Sequence, residues 1–262
     1  MTISRYLDSL TLADLGPAVP LRRSADAIAA PPTAGAEVAA HPLPANLSAA
    51  VNASSILSFV DGVPDQQRED VIFSVQFAVR AASAKADRFA EPRAWYNAFA
   101  EMLETVGWAA EQFAFAQADQ AEGEFRMDEA AIAVITAIAT GNQLAVLKSS
   151  IDALGKLADD SGAISIFDSH SSTDLAGNFQ IGSVEVGPGG TLSMAFGGFF
   201  FRAVDRRHRF LFFRWGKQQV NFWTSAEKMT FNGALYDTVR DKVKTRLGAT
   251  AASMVDQIPL GF

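Results

Sequence analysis

The spacing of apolar residues along the chain changes from a helical period to a strand period near residue 160. Before that point, apolar positions follow the 3.6-residue period of helices that bury one face. After it, apolar and polar positions alternate, as they do in strands. Since helices and strands occupy separate parts of the chain, we predict an α+β fold with a central antiparallel β-meander wrapped by helical hairpins.

The first half of the sequence predicts a series of helices, each marked by capping or turn residues. Asn46 or Ser48 is placed to cap the first of them, and Pro92 suits the first turn of a later one. Asp128 is a good N-cap, and the break at residues 140–142 predicts a helical hairpin or kinked pair. The expected helices span residues 48–60, 64–86, 92–113, 129–139 and 143–157, with a C-terminal helix at 234–247 that Asn232 caps and Gly248 ends.

The second half predicts strands at residues 163–168, 179–186, 191–204, 209–215 and 218–231. Gly187-Pro188-Gly189-Gly190 is a turn, because glycine tolerates positive φ and proline presets a bend. Gly197-Gly198 inside a strand predicts a bulge or a close backbone approach. The run Phe199-Phe200-Phe201 points rings to both faces of the sheet, so helices are expected to cover both faces.

Composition divides the chain into an arm and a domain. Residues 16–44 are rich in alanine and proline, which favours an extended, flexible segment. We therefore predict a flexible arm over residues 1–45 and a single α+β domain over residues 46–262. Arg22-Arg23 is a candidate cleavage site in this arm, which is interpreted either as a disordered tail or as a removable or dimer-forming segment.

Composition also excludes several classes of function. The chain has no cysteine, which excludes a disulfide framework, thiolate catalysis and cysteine-ligated zinc. The formal net charge of −7 argues against nucleic acid as a partner. The N-terminus shows no secretory signal pattern, and no apolar run approaches the roughly 18 residues of a spanning helix. The protein is therefore expected to be made soluble, then released or exported by another route to act at a target membrane.

No catalytic signature occurs in the sequence. The zinc-protease, dithiol, nucleophile-elbow and phosphate-loop motifs are missing, so we expect no enzyme, no cofactor and no metal site. Asp168-Ser169-His170 has the residue types of a catalytic triad, but neighbours at the end of a strand point in different directions. His170 is kept only as the base of a hydrolase, the last of the alternatives.

The chemistry that the sequence does offer is a basic turn between aromatic strands. Arginine forks match phosphate groups, and each basic residue near an anionic leaflet contributes on the order of 1 kcal/mol. We interpret the turn as a lipid-headgroup contact, with an exposed hairpin kept soluble by arginines as the alternative. The predicted headgroup residues are Arg206, Arg207, His208, Arg209 and Lys217. The predicted apolar lipid or core face comprises Phe199, Phe201, Phe210, Phe212, Trp215, Trp223, Ile132, Ile135, Leu144 and Leu147.

The order, spacing and aromatic pattern of residues 50–245 resemble the Cyt-type cytolytic δ-endotoxins and the related enterobacterial virulence factor (Evf-like) fold. The resemblance implies one domain, a soluble form that binds membrane lipid directly, and helices that move off a central antiparallel sheet. It also implies a terminal arm that is trimmed or shared in a dimer. The residues that carry it are Gly198-Phe199-Phe200-Phe201-Arg202-Ala203-Val204, Phe210-Leu211-Phe212-Phe213, Gln219-Val220-Asn221-Phe222 and Met229-Thr230-Phe231, after Ile164-Ser165-Ile166-Phe167.

The sequence departs from the virulence-factor branch in one respect. That branch resembles a carrier of a fatty acyl group on cysteine, and this chain has no cysteine. Covalent acylation is therefore excluded, and only a non-covalent lipid site remains.

We expect a membrane-active toxin or virulence factor that binds lipid bilayers and forms pores, alone or as a homodimer or larger homo-oligomer. One alternative is a soluble lipid- or fatty-acid-binding protein, with an apolar pocket between the helix pair and the sheet. Another is a structural or cargo protein of a bacterial assembly that docks through its N-terminal arm.

Overall fold

The structure, a computed structural model, describes residues 41–42, 48–109, 114–118, 124–158, 161–173, 175–204, 208–216 and 219–256. Residues 41–42, 125 and 250–256 are described by their backbone alone. Apart from residues 41–42, the predicted arm and its cleavage site Arg22-Arg23 lie outside the described residues, so both stay predictions.

Within these ranges the chain forms seven helices and ten strands. The strands are β1 (His41–Pro42), β2 (Ala49–Asn52), β3 (Ser55–Phe59), β4 (Trp108–Ala109), β5 (Ala116–Gln117), β6 (Glu124–Arg126), β7 (Ala176–Val186), β8 (Leu192–Ala203), β9 (Arg214–Gly216) and β10 (Val220–Phe231). The helices are α1 (Asp65–Lys85), α2 (Pro92–Thr105), α3 (Met127–Thr136), α4 (Gly141–Lys156), α5 (Gly162–Ser171), α6 (Gly233–Asp237) and α7 (Arg240–Asp256).

The main sheet has the strand order β1-β2-β3-β7-β8-β10-β4, and β5 also pairs with β10. Its centre is the predicted antiparallel meander, in which β8 pairs along its length with β7 on one side and β10 on the other. β3 pairs with β7 in parallel, which the sequence did not predict. A parallel pair needs a long crossover connection, and α1 to α5 supply it.

Helices cover both faces of the sheet. Successive residues of β8 face opposite sides, so Met194 and Phe196 pack in the cluster with α1, α2 and the C-terminal helices. Phe199 and Phe201 pack in a second cluster with α3, α4 and α5. The α+β fold class with helical layers on both sides is therefore confirmed.

The predicted helix over residues 48–60 is wrong, because this segment forms the β2–β3 hairpin. Every residue of both strands is buried, so the run shows no alternation of apolar and polar positions. Periodicity cannot distinguish a short strand buried on both faces from a buried helix. Ala53, at φ 52°, forms the turn between the two strands.

The predicted strand over residues 163–168 is also wrong, because this segment lies in α5. The alternation of Ile164, Ser165 and Ile166 suggested a strand. The buried residues of α5 are instead spaced along one helical face, namely Ala163, Ile164, Phe167 and Ser171.

The predicted strand over residues 209–215 shrinks to β9, which pairs with β6 apart from the main sheet. Residues 208–213 form a turn in which Arg209 has a φ of 53°. The preceding turn residues 205–207 lie outside the described part of the chain.

Three helix ends differ from the sequence prediction. α2 ends at Thr105, before Gly107 adopts a φ of 103°. Asp128 lies inside α3 and accepts a hydrogen bond from Arg126 at 3.0 Å, so it is not the N-cap. Asn232 does cap the first C-terminal helix, but α7 then continues through Gly248 to Asp256.

Tyr96 connects α2 to the middle of the sheet. Its hydroxyl lies 3.0 Å from the carbonyl of Phe179 and accepts the N–H of Phe199 at 2.9 Å. These two residues are opposite each other on β7 and β8, so the hydroxyl bridges the strands at this position. Gly198 lies directly against the Tyr96 ring, and the register of β8 runs through it without a bulge. Of the two alternatives predicted for the glycine pair, Gly198 provides the close approach.

We predict that Gly198→Ala destabilises the protein, because a Cβ there would lie 2.7 Å from Cε1 of Tyr96. Overpacking of this kind costs about 1–3 kcal/mol of unfolding free energy. Gly248→Ala is the control, since nothing lies within 4 Å of its added Cβ and alanine favours a helix interior by roughly 0.5–1 kcal/mol. Urea denaturation measures both, and a Gly198→Ala protein as stable as wild type would contradict the close approach.

Candidate functional site

A continuous cluster of aromatic rings lies on the sheet side that α3, α4 and α5 cover, and we call it the phenylalanine face. Phe199 stacks between Phe179 and Phe222, at centroid distances of 5.0 and 5.9 Å. Phe210 extends the cluster from outside the sheet and lies 5.0 Å from Phe201. No ring in the cluster is more than 3% exposed. Its members are Phe167, Phe179, Phe199, Phe201, Phe210, Trp215 and Phe222.

The helical hairpin α3–α4 covers part of this face with a segment that has no charged residue from 130 to 147. Ile135 and Leu147 are buried in the same cluster as the rings, while Ile132 and Leu144 are half-buried. The outward positions are small or uncharged, and they include Ala133, Thr136, Ala137 and Ala145. Between residues 130 and 147 the hairpin is therefore free of charge on its solvent side as well as on its packed side, and its exposed charges lie beyond that segment, at Glu129, Lys148, Asp152 and Lys156.

Polar contacts fasten the hairpin at the turn between its two helices. Thr140 and Gln143 form a capping box at the start of α4. Thr140 Oγ1 donates to Glu185 at 2.8 Å, and Gln143 Nε2 donates to the carbonyl of Ser183 at 3.0 Å. Ser183 Oγ donates in return to the carbonyl of Gln143 at 2.9 Å. The Thr140-x-x-Gln143 pattern can be recognised in the sequence, but the hydrogen bonds that attach it to β7 cannot.

Arg209 fastens the other end of α4. Its guanidinium donates to the carbonyls of Gly155 at 2.6 Å and Leu157 at 2.8 Å, groups that the end of a helix leaves unsatisfied. Its backbone N–H donates to Asp168 on α5 at 2.6 Å, and His208 Nδ1 lies 3.1 Å from the same carboxylate oxygen. The turn that carries Phe210 into the phenylalanine face is thereby anchored to both α4 and α5.

The helical layer on the opposite face is attached by buried polar contacts along its length. Besides Tyr96, Asn52 donates to the carbonyl of Ile72 on α1 at 2.9 Å. Asp70, only 2% exposed, accepts two hydrogen bonds of 2.7 Å from Arg240, which ties α1 to α7. This bonding raises the pKa of Arg240, so the guanidinium stays charged. The two helical layers therefore differ in how they are held to the rest of the fold.

The predicted headgroup residues divide into three groups. Arg206, Arg207 and Lys217 lie outside the described residues, so their role stays a prediction. His208 is exposed at the protein surface beside Asp168. Arg209 is half-buried and turned toward the end of α4, so we assign it to helix capping instead of headgroup contact.

Eight of the ten predicted apolar residues lie together. Most of them belong to or pack against the cluster that contains the phenylalanine face, but Trp223 lies on the opposite face against Phe200, at 5.6 Å. This difference follows from strand alternation, because Trp223 is adjacent to Phe222, which packs on the phenylalanine face. Those on the phenylalanine-face side are Phe199, Phe201, Phe210, Phe212, Trp215, Ile132, Ile135 and Leu147, with Leu144 half-buried in α4.

The Asp168-Ser169-His170 sequence does not form a triad. Asp168 receives the backbone N–H of Arg209, and His170 Nδ1 lies 2.9 Å from the carbonyl of Ile166 one helical turn earlier. Burial lowers the pKa of His170, with the positive charges of Arg88 and Arg80 acting in the same direction. His170 is therefore neutral at physiological pH.

Two other kinds of site are missing from the described residues. No helix among them has the length and apolar character needed to cross a bilayer, and no group of three or more acidic or histidine side chains is placed to hold a metal. A cleft of about 490 Å³ lies at one end of the sheet, beside Gly190, Thr230 and Asn232. This cleft is not between the α3–α4 hairpin and the sheet, where the soluble lipid-binding alternative requires its pocket.

No protein-family model and no curated protein matches the chain. Solved structures do match it. A delta-endotoxin gives a TM-score of 0.41 at 12% identity, over 79% of this chain and 90% of that one. The Evf virulence factor gives 0.33 at 12% identity, over 78% and 84%. The activated Cyt2Ba monomer from Bacillus thuringiensis subsp. israelensis gives 0.34 at 8% identity, over 69% and 97%.

The chain is thus similar in structure to both groups that its sequence resembles. The likeness is distant in geometry and in identity, so the roles of individual residues rest on the contacts in this chain.

We predict that Arg209→Ala lowers the free energy of unfolding by about 1.5–3 kcal/mol, because it removes charged hydrogen bonds to two helix-end carbonyls. Amide hydrogen exchange is expected to rise at the end of α4 and in residues 208–213. Arg214→Ala is the matched control, since Arg214 is exposed on β9 and its loss is worth no more than about 0.5 kcal/mol. Equal stability of the two variants would show that Arg209 does not fasten α4.

We predict that stability falls as pH drops below about 6.5, the ordinary histidine pKa. The folded-state pKa of His170 is lowered, so below that pH the unfolded chain takes up a proton that the folded chain does not. One such group contributes a slope of at most about 1.4 kcal/mol per pH unit. Urea midpoints between pH 7.5 and 5 should fall less steeply in His170→Asn. An unchanged slope in that variant would mean that His170 is not the group responsible, and His208→Asn is the control for an exposed histidine.

Proposed function

We propose that this protein is a membrane-active toxin or virulence factor, and not an enzyme, whose α3–α4 hairpin leaves the sheet and enters lipid. One observation carries the proposal. The hairpin has no charged residue from 130 to 147, and it covers a buried aromatic face. Its polar attachments lie around the Thr140 turn and at the opposite end, where the Asp128 N–H and the Gly155 and Leu157 carbonyls are bonded.

The two helical layers would leave different groups without partners if they moved off the sheet. Lipid tails are as apolar as the side chains that the hairpin contacts, so a bilayer replaces those contacts without loss. Removing α2 would instead leave the hydroxyl of Tyr96 and the backbone groups that it bridges without hydrogen-bond partners. Each unsatisfied group costs about 1–3 kcal/mol of free energy. Removing the hairpin also breaks the buried bonds of Gln143 and Ser183, but these lie at its turn, and the contacts between its ends are apolar. The hairpin is therefore the layer that we propose exchanges the sheet for lipid.

The dimensions of the hairpin favour an orientation within the membrane interface. α4 has 16 residues, which corresponds to a length of roughly 24 Å. The hydrocarbon core of a bilayer is roughly 30 Å thick. The hairpin is therefore proposed to lie along the headgroup boundary with its apolar residues in the acyl region, as interfacial helices do. Pore formation is proposed as a later step, involving several copies of the chain.

The test places a negative charge on the exposed side of the hairpin, where the soluble fold tolerates it. Ala133 on α3, Ala145 on α4 and Ala94 on α2 are all exposed. Each is changed to Glu, and urea denaturation is expected to show stabilities within about 0.5 kcal/mol of wild type. Flotation with anionic and zwitterionic vesicles measures binding, and release of an encapsulated dye measures pore formation.

We predict that Ala133→Glu and Ala145→Glu leave flotation near the wild-type level but reduce dye release more than tenfold. Pore formation, the later step, would carry the outward side of the interfacial hairpin to membrane depth, where a carboxylate costs up to about 2.5–3.5 kcal/mol. Ala94→Glu adds the same charge to the other layer and should retain wild-type release, which separates insertion from repulsion by anionic lipid. The experiment is run on the full chain and after trypsin cleavage at the arm. Neither flotation nor release by wild-type protein in either form, or equal effects of all three variants, would contradict the proposal.

A further inference from the structure

Two arginines, a histidine and a serine come together where the end of α1, the α1–α2 link and the end of α5 meet, and we call them the arginine cluster. Arg88 in the link is 5% exposed, and its guanidinium donates to the carbonyls of His170 at 3.0 Å and Asn178 at 2.6 Å. The positive charge of Arg80 on α1 lowers the pKa of the His170 imidazole. Ser171 follows His170 at the end of α5.

Three donors in this cluster are buried without an acceptor. They are Nη1 of Arg80, Nε of Arg88 and Oγ of Ser171. Ser171 is fully buried and Arg88 nearly so. Buried polar groups almost always have a partner, and each one without a partner costs free energy. The described part of the chain supplies no acceptor to these three donors, which points to an acceptor from outside it.

The cluster also lacks a matched negative charge within the described part of the chain. Neither guanidinium has a carboxylate as a hydrogen-bond or ion-pair partner there. Asp87 raises the pKa of Arg88, but its Oδ1 already accepts the N–H groups of Phe89 and Ala90, both at 2.8 Å. Burial lowers the pKa of Arg88 to about 10, so it stays charged at neutral pH. The buried carboxylate Asp70, by contrast, is paired with an arginine.

We propose that the arginine cluster binds a phosphate group, supplied either by inorganic phosphate or by a phospholipid headgroup. A phosphate accepts hydrogen bonds from guanidinium groups and a hydroxyl at the same time, which matches the three donors without partners. Arg80 and His170 are half-buried, so they form the entrance, and Arg88 and Ser171 form the buried end. The anion offsets the penalty of burying unpaired cations. This proposal does not rest on the α3–α4 hairpin.

The experiment follows thermal unfolding of the full chain at pH 7.5 against increasing inorganic phosphate, with sodium chloride at equal ionic strength as reference. The melting temperature should rise with phosphate beyond the chloride effect, because a ligand that binds only the folded state stabilises it. Arg80→Gln should abolish this rise while leaving the phosphate-free protein at least as stable as wild type. Arg93→Gln changes an exposed arginine on α2 and should keep the full rise.

Ser171→Ala provides a second variant with a minimal change in volume. It should weaken the apparent phosphate affinity about tenfold, the effect of losing one hydrogen bond to a charged group. A short-chain phosphatidic acid below its micelle concentration identifies the source of the phosphate: stabilisation at lower concentration than inorganic phosphate assigns a lipid headgroup, and the reverse order assigns the free anion. Equal melting temperatures of wild type in phosphate and chloride, or equal responses of Arg80→Gln and Arg93→Gln, would overturn the site.

Discussion

Burial of aromatic rings on both faces of β7, β8 and β10 is the constraint on which the rest of the structure depends. Three successive phenylalanines on β8 leave neither face polar, and each ring removes on the order of 150–250 Å² from water. The chain meets this requirement by placing α1, α2 and the C-terminal helices on one face and α3 to α5 on the other. The parallel pairing of β3 with β7 is possible because five helices fill the long connection between these strands.

The two helical layers meet the same requirement with different chemistry. α2 inserts the Tyr96 hydroxyl between two strands, and Asp70 of α1 holds Arg240 of α7, so that layer carries buried polar atoms that depend on the fold. The α3–α4 hairpin carries its polar contacts at its ends and apolar contacts between them. Lipid can replace the apolar contacts of the hairpin, but it cannot replace the buried hydrogen bonds of the other layer. The direction of a conformational change is therefore set by where the buried polar atoms lie.

The sequence pattern predicted an element correctly wherever the hydrophobic period and the neighbouring turn residues indicated the same element. It predicted α1, α4, the three central strands, the Gly187–Gly190 turn and the Asn232 cap. It failed for β2 and β3, which are buried on both faces, and for α5, whose short apolar run matches both periods. It also could not place Arg209, because its acceptors at Gly155 and Leu157 lie on a helix more than fifty residues earlier. The arginine cluster was missed for the same reason, since it joins α1 to α5.

The attachments of the α3–α4 hairpin at Gln143 and at Arg209 are not equivalent, and this gives its proposed release an order. Gln143 is fully buried, so breaking its bonds first would leave an amide and two carbonyls without water or partners. Arg209 is half-buried, so water can replace its bonds as they break, and salt screens its charge. The end of α4 should therefore open before the turn at Thr140. Because Arg209 precedes Phe210, opening that end also loosens the ring that closes the phenylalanine face, so that release of the hairpin and exposure of the sheet become one coupled event.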